Sequence, residues 1–213
     1  MMLCSIFAME HVTMSHSLPF FIGFAGLVVL WVVIGVATGF NVSKLFEGQD
    51  KRPSSSKFQF FLWTAVIVFG YLVVYGTPDK SGNYRFSPLE GLPSNLLIAM
   101  GISGATAVAA KAITTSNVAS GKEKTAFDAA ANPATDGKRA IRGGIFQGDD
   151  GAPDLGKVQM ILWTVISVGV FLASVVQNVY APDPSRTLPD IGQTLMILMG
   201  LGHATYVGKK IAE

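Results

Sequence analysis

Two residues could form a nucleophile and its base. Ser103 lies in a Gly-Ile-Ser-Gly run at 101–104. His203 falls opposite Gly104 when LLIAMGISGATAVAAK (96–111) is set against LMILMGLGHATYVGKK (195–210). Equal depth in two helices is the first condition for an imidazole to deprotonate a hydroxyl. His203 is also the one titratable group well inside an apolar span, where ionisable residues are functional candidates by default. Thr106 and Thr205 add hydroxyls nearby. A second cluster, Asp149, Asp150 and Asp154 in GDDGAPD, could offer oxygen ligands to a hard cation, with Asp50 at the matching place earlier in the chain. A calcium loop needs about six to eight ligands at fixed spacing, and the alternating Asp/Asn pattern with a late Glu is missing. Turn formation and the start of a helix account for Gly, Asp and Pro here, so no metal site is expected. No glycine-rich phosphate loop, Cys/His zinc spacing or Ser-x-x-Lys motif points to a cofactor or another chemistry.

The run at 101–104 resembles the Gly-x-Ser motif of rhomboid-type intramembrane proteases, which pair that serine with a histidine on another helix. The resemblance implies a Ser103–His203 dyad and goes no further. The chain is expected to have one span fewer than those enzymes, it lacks their companion His/Asn oxyanion pattern, and the matching run in the second copy reads Gly-Leu-Gly. The competing reading is a neutral His203 hydrogen-bonded to a neighbouring helix, with Ser103 bonded to its own backbone. No enzymatic activity is expected.

The elements that carry these residues are set by the distribution of charge. Of 213 residues, half are hydrophobic and only 14% are charged, against about a quarter in soluble proteins. No Asp, Glu, Lys or Arg falls within 12–43, 58–78, 91–110, 158–182 or 191–208. Each stretch can supply the roughly 20 apolar residues of a spanning helix, the last only marginally. Spans are expected at about 18–40, 58–77, 94–112, 158–180 and 191–209. The Lys and Arg residues lie mostly in alternate connections: four in 41–57, seven in 111–157 and two at the C-terminus, against two in 78–93 and one in 181–190. The positive-inside rule then puts the N-terminus outside and the C-terminus in the cytoplasm. The net charge of +2 is topological and gives no reason to expect nucleic acid. Cys4, the only cysteine, excludes an internal disulfide and lies beside Met9 and Met14, either of which could be the start. The first span lacks a basic n-region and a cleavage site, so a retained helix is expected.

Residues 46–64 (FEGQDKRPSSSKFQFFLWT) and 146–164 (FQGDDGAPDLGKVQMILWT) share Phe, Gly, Asp, Pro, Lys, Gln and the Leu-Trp-Thr triplet at a fixed offset of 100. With the match of 96–111 to 195–210, this makes a duplicated unit. The expected fold is an all-α membrane protein with five transmembrane helices: one N-terminal span followed by two tandem parallel-repeat helical hairpins. Residues 1–44 would hold an external tail and the first span, 45–113 the first repeat, 114–144 a flexible cytoplasmic linker and 145–213 the second repeat. Ile98, Gly101, Ala105 and Val108 share one helical face, repeated as Ile197, Gly200, Ala204 and Val207. Small residues let helices approach closely in lipid, so this stripe is expected to join the two Met-Gly helices and to resist enlargement at Gly101 or Gly200. Trp63 and Trp163 lie about 9 Å into their helices, where tryptophan serves as an interfacial anchor.

The strings KFQFFLWT…LLIAMGISGAT and KVQMILWT…LMILMGLGHATYVGKK resemble a group of uncharacterised bacterial membrane proteins with hairpins of the form [S/G]-[K/R]-x-Q-x-L-x-W-T followed by L-x-G-[I/L]-[S/G]-x-[A/G]-T-Y-x-G. The resemblance implies a bacterial inner-membrane protein with two such modules and brings no activity with it. Ala107 stands where the second copy has Tyr206. The expected function is a membrane anchor or assembly scaffold that self-associates through Gly/Ala faces. Its expected partners are the lipid bilayer, further copies of itself and a cytoplasmic protein met through 41–57 and 114–157. An oligomeric channel is the alternative, with Ser103, Thr106, Thr205 and His203 as the only polar residues available to line it.

Overall fold

The computed structural model describes residues 2–41, 43–47, 53–78, 84, 91–121, 145–147, 153–181 and 187–212. Among them are five long helices and one single turn: α1 (Met2–Thr38), α2 (Ser43–Phe46), α3 (Ser55–Tyr75), α4 (Ser94–Ala119), α5 (Leu155–Tyr180) and α6 (Gln193–Ala212). Four helical stretches, 17–38, 55–75, 94–117 and 155–180, are long and apolar enough to cross a membrane. The last helix, α6, is not among them, because His203, Lys209 and Lys210 and three glycines dilute its 20 residues. Two boundaries differ from expectation. Helix α1 begins at Met2, so the tail expected before the first span is helical. Helix α4 runs seven residues beyond the expected end at 112, taking in the start of the supposed linker. Residues 122–144 lie outside the described set.

Helix α1 ends where Gly39 and Phe40 both turn to φ near +60° and the Phe40 ring folds back over Gly35. Helices α3, α4, α5 and α6 form a ring in which α3 touches α4 and α5, and α6 touches α4 and α5. Helix α1 packs outside it, mainly on α3. Gly23 and Gly26 face Phe69, Val73 and Leu72, and Phe24 meets Phe69 edge to face at 5.2 Å. The ring has two unlike halves. At the end away from the lysines, Val73, Val74, Leu96, Phe171, Val175, Val179, Leu188 and Ile191 form a fully apolar core. Asn95 ties α4 to the start of α6 there, donating to Asp190 at 2.9 Å and to the Ile191 carbonyl at 3.0 Å.

Most of the small-residue stripe lies away from the α4–α6 contact. The residues these helices bury are Leu96, Ala99, Ser103, Thr106 and Ala110 on α4 and Met199, Gly202, His203, Tyr206 and Lys210 on α6, and Thr106 and His203 join the two by a hydrogen bond. Gly101, Ala105 and Ala204 are exposed, Val108 is 70% exposed, and a Cβ added to Gly101 would meet nothing within 4 Å. At Gly200 a Cβ would meet only Ile102, in ordinary contact, and Val207 is half-buried against the cluster of Ala110, Met160 and Tyr206. The close glycine approach lies at Gly202, where a Cβ would come 3.1 Å from the Met160 Cα on α5. Shared sequence marked the wrong face because lipid-facing and core-facing residues are equally apolar in a membrane helix.

Candidate functional site

The duplicated lead-ins form the same local structure twice. Glu47 bridges Pro53, and Gln147 bridges Pro153. The amide of Ser54 donates to the Phe46 carbonyl, and that of Asp154 to the Phe146 carbonyl. The lysine of each motif closes its loop: Lys57 Nζ donates to the Glu47 carbonyl and Lys157 Nζ to the Gln147 carbonyl, both at 2.6 Å. Ser54 and Asp154 then cap α3 and α5 by accepting from the Lys57 and Lys157 amides. Capping residues differ in identity and agree in chemistry, which is why letter-by-letter comparison passed over them. Ser55 Oγ donates to the Ile145 carbonyl at 2.7 Å and holds the two lead-ins together. Asp50, Asp149 and Asp150 lie outside the described residues. Asp154, the third of the aspartate cluster, is engaged by Lys209 Nζ at 2.9 Å. Burial works against its ionisation, but the Lys209 hydrogen bond, the Lys157 amide and the two ammonium charges together hold its carboxyl below the usual range.

Above this platform buried polar side chains lie among the apolar ones inside the ring. Gln59 on α3 is fully buried and donates across to α5, to the Met160 carbonyl at 3.0 Å and to Thr164 Oγ1 at 2.7 Å. Thr164 in turn donates to the Met160 carbonyl. Gly202 rests on the Met160 backbone, and the next residue, His203, pairs through Nδ1 with Thr106 Oγ1 of α4 at 2.9 Å. Two buried polar pairs thus tie α3 to α5 and α4 to α6. Trp63 lies one turn from Gln59, Ser103 one turn from Thr106 and Ser167 one turn from Thr164. All three are fully buried.

Five atoms of this centre have no protein hydrogen-bond partner: Gln59 Oε1, Trp63 Nε1, Ser103 Oγ, Ser167 Oγ and His203 Nε2. Ser103 and His203 are therefore not bonded to each other; the imidazole is turned to Thr106 and no nucleophile–base pair is assembled. Nor does Ser103 bond its own backbone. Trp63 is a core residue and not an interfacial anchor, whereas Trp163 is half-buried. Thr205, on the outward side of α6, donates to the Leu201 carbonyl. Of the expected polar candidates, the structure brings Thr106 and His203 into contact and places Ser103 beside them. Gln59 and Thr164, both shared between the repeats, and Ser167 carried no expected site role, although hydroxyls at 164 and 167 share a face with Met160.

No family model, no curated protein and no solved structure matches this chain.

Proposed function

We propose that the chain is a non-enzymatic integral membrane protein that serves as an anchor or assembly scaffold and associates with further copies through the outward Gly/Ala faces of α4 and α6. The observation that carries this reading is the stripe itself. Gly101, Ala105, Val108 and Ala204 lie on the outside of the ring, and Gly101 has open space where a side chain would stand. Small residues on a lipid-facing helix permit a second helix to approach closely, and lipid offers no hydrophobic drive to hide them within one chain. In this reading α6 completes a fifth crossing and the two hairpins are parallel repeats. The Lys/Arg asymmetry of the connections supports an external N-terminus and a cytoplasmic C-terminus in a bacterial inner membrane. The 41–57 and 114–157 segments would meet a cytoplasmic partner.

A pore along the outward stripe has little support, since Ser103, Thr106 and His203 turn inward and only Thr205 remains outside. The test is the mass of the detergent-purified and nanodisc-reconstituted protein by light scattering. Wild type should be oligomeric. Gly101→Leu should become monomeric with its thermal midpoint unchanged, because the new side chain meets nothing within the chain. Gly202→Leu should instead unfold the protein at lower temperature, by about 1–3 kcal/mol, because it must displace the Met160 backbone. A monomeric wild type would end the scaffold reading.

A further inference from the structure

We infer that the polar centre of the four-helix ring is a hydrated site, occupied by a small cluster of ordered waters reached from the lysine-bearing end. The first support is the number and distribution of partnerless atoms. Gln59 Oε1 and Trp63 Nε1 come from α3, Ser103 Oγ from α4, Ser167 Oγ from α5 and His203 Nε2 from α6. Every helix of the ring contributes at least one, and all belong to residues exposed by 2% or less. Buried polar groups are almost always hydrogen-bonded, and five left without a partner across the four helices of the ring call for partners that the protein itself does not supply.

The second support is the behaviour of hydroxyls elsewhere in the molecule. A helical Ser or Thr in an apolar setting normally donates to the carbonyl four residues back. Thr38, Thr64, Thr164, Ser174 and Thr205 all do so here, as does Thr77 just past the end of α3. Ser103 and Ser167 do not, and are left facing the core.

The chemistry of the five atoms selects the guest. Trp63 Nε1 can only donate and Gln59 Oε1 can only accept, while the hydroxyls and the imidazole nitrogen can do either. The occupant must therefore accept and donate at once. Among the described residues no carboxylate, Lys or Arg lies on these inward faces between the rim residues Lys157 and Lys210 and the apolar core. An ion of either sign would lose its hydration with no countercharge. Water satisfies both conditions, and two to four hydrogen bonds per buried water match the groups on offer. The level is also near one end of the ring. At 1.5 Å per residue, Trp63, Ser103, Ser167 and His203 lie within about 15 Å of the lysines that mark their helix ends. Beyond them the packed apolar half, with Phe171, Val175 and Leu96 fully buried, closes the site. The ring is a blind, wet cup and not a through-channel.

The experiment is water-edited solid-state NMR on the full chain in lipid bilayers. Magnetisation from water should reach Trp63 Nε1–H and the His203 ring several-fold faster than it reaches Phe171 and Val175. Build-up at Trp63 and His203 no faster than at Val175 would overturn the inference, as would cross-peaks to lipid acyl protons in their place. Ser103→Ala and Ser167→Ala give an independent readout. Each should lower the thermal midpoint by removing a water ligand. In a dry core each would raise it by deleting an orphaned hydroxyl, and a raised midpoint would equally overturn the proposal.

Discussion

Helices α3 and α5 begin with the same capping geometry and carry the same Leu-Trp-Thr triplet, yet they turn different faces to the core. On α3 the buried residues include Gln59, Trp63, Val66, Ile67, Gly70 and Val74; on α5 they include Met160, Thr164, Ser167, Val168, Phe171 and Val175. With the offset of 100 removed, each member of the second set is one residue further along than its counterpart. One residue is a rotation of about 100°. Helices α4 and α6 show the same advance, from Ser103 and Thr106 to the positions aligned with His203 and Tyr206. The rotation lets unlike residues meet: the Phe171 ring occupies the place where a Cβ on Gly70 would stand, and Gln59 finds Thr164. Two identical faces could not make either fit. Helix α1, which packs chiefly on α3, adds a further inequality. Duplication has preserved the local hairpins of the lead-ins and released the helix faces to become complementary.

The tryptophans give the largest expected effect. Trp63→Ala should cost about 3–5 kcal/mol by leaving a cavity in the core. Trp163→Ala, at the same place in the repeat but half-buried, should cost about 1 kcal/mol. Reversible unfolding in mixed micelles measures both, and equal losses would break the comparison.

The glutamines should separate more gently. Gln59→Leu removes two interhelical hydrogen bonds and should destabilise by about 1–2 kcal/mol. Gln159 is exposed rather than buried in the core, and Gln159→Leu should be silent within error of the same measurement.

The caps provide the smallest effect and a pH signature. The Asp154 carboxyl is held below its usual value in the folded protein, so its contribution is complete above the unfolded carboxylate range, about pH 4 and higher, and is lost as pH falls through the folded value. Lys209 is partly exposed, which limits the ion pair to about 1 kcal/mol or less. Asp154→Asn should keep the cap and flatten this acid-side slope in a series of thermal melts. Ser54→Ala should cost about 1 kcal/mol with no change of slope, since that cap has no charge.

What could be read in the letters was whatever depends on near neighbours or on composition. The charge-free stretches located the apolar helices, and the repeated Phe, Pro and Lys marked loops whose closing bonds span ten residues or fewer. Ser103, Thr106 and His203 stood out because polar groups are rare in such helices. Their company did not. In water an amphipathic pattern announces which side of a helix is buried. In a membrane both sides are apolar, and the face is chosen by shape: Gly202 against Met160, Gly70 against Phe171, Gln59 against Thr164. Those choices pair residues about a hundred or forty positions apart in the chain, so only the tertiary structure could decide that the small-residue stripe lies outside and the polar residues converge within.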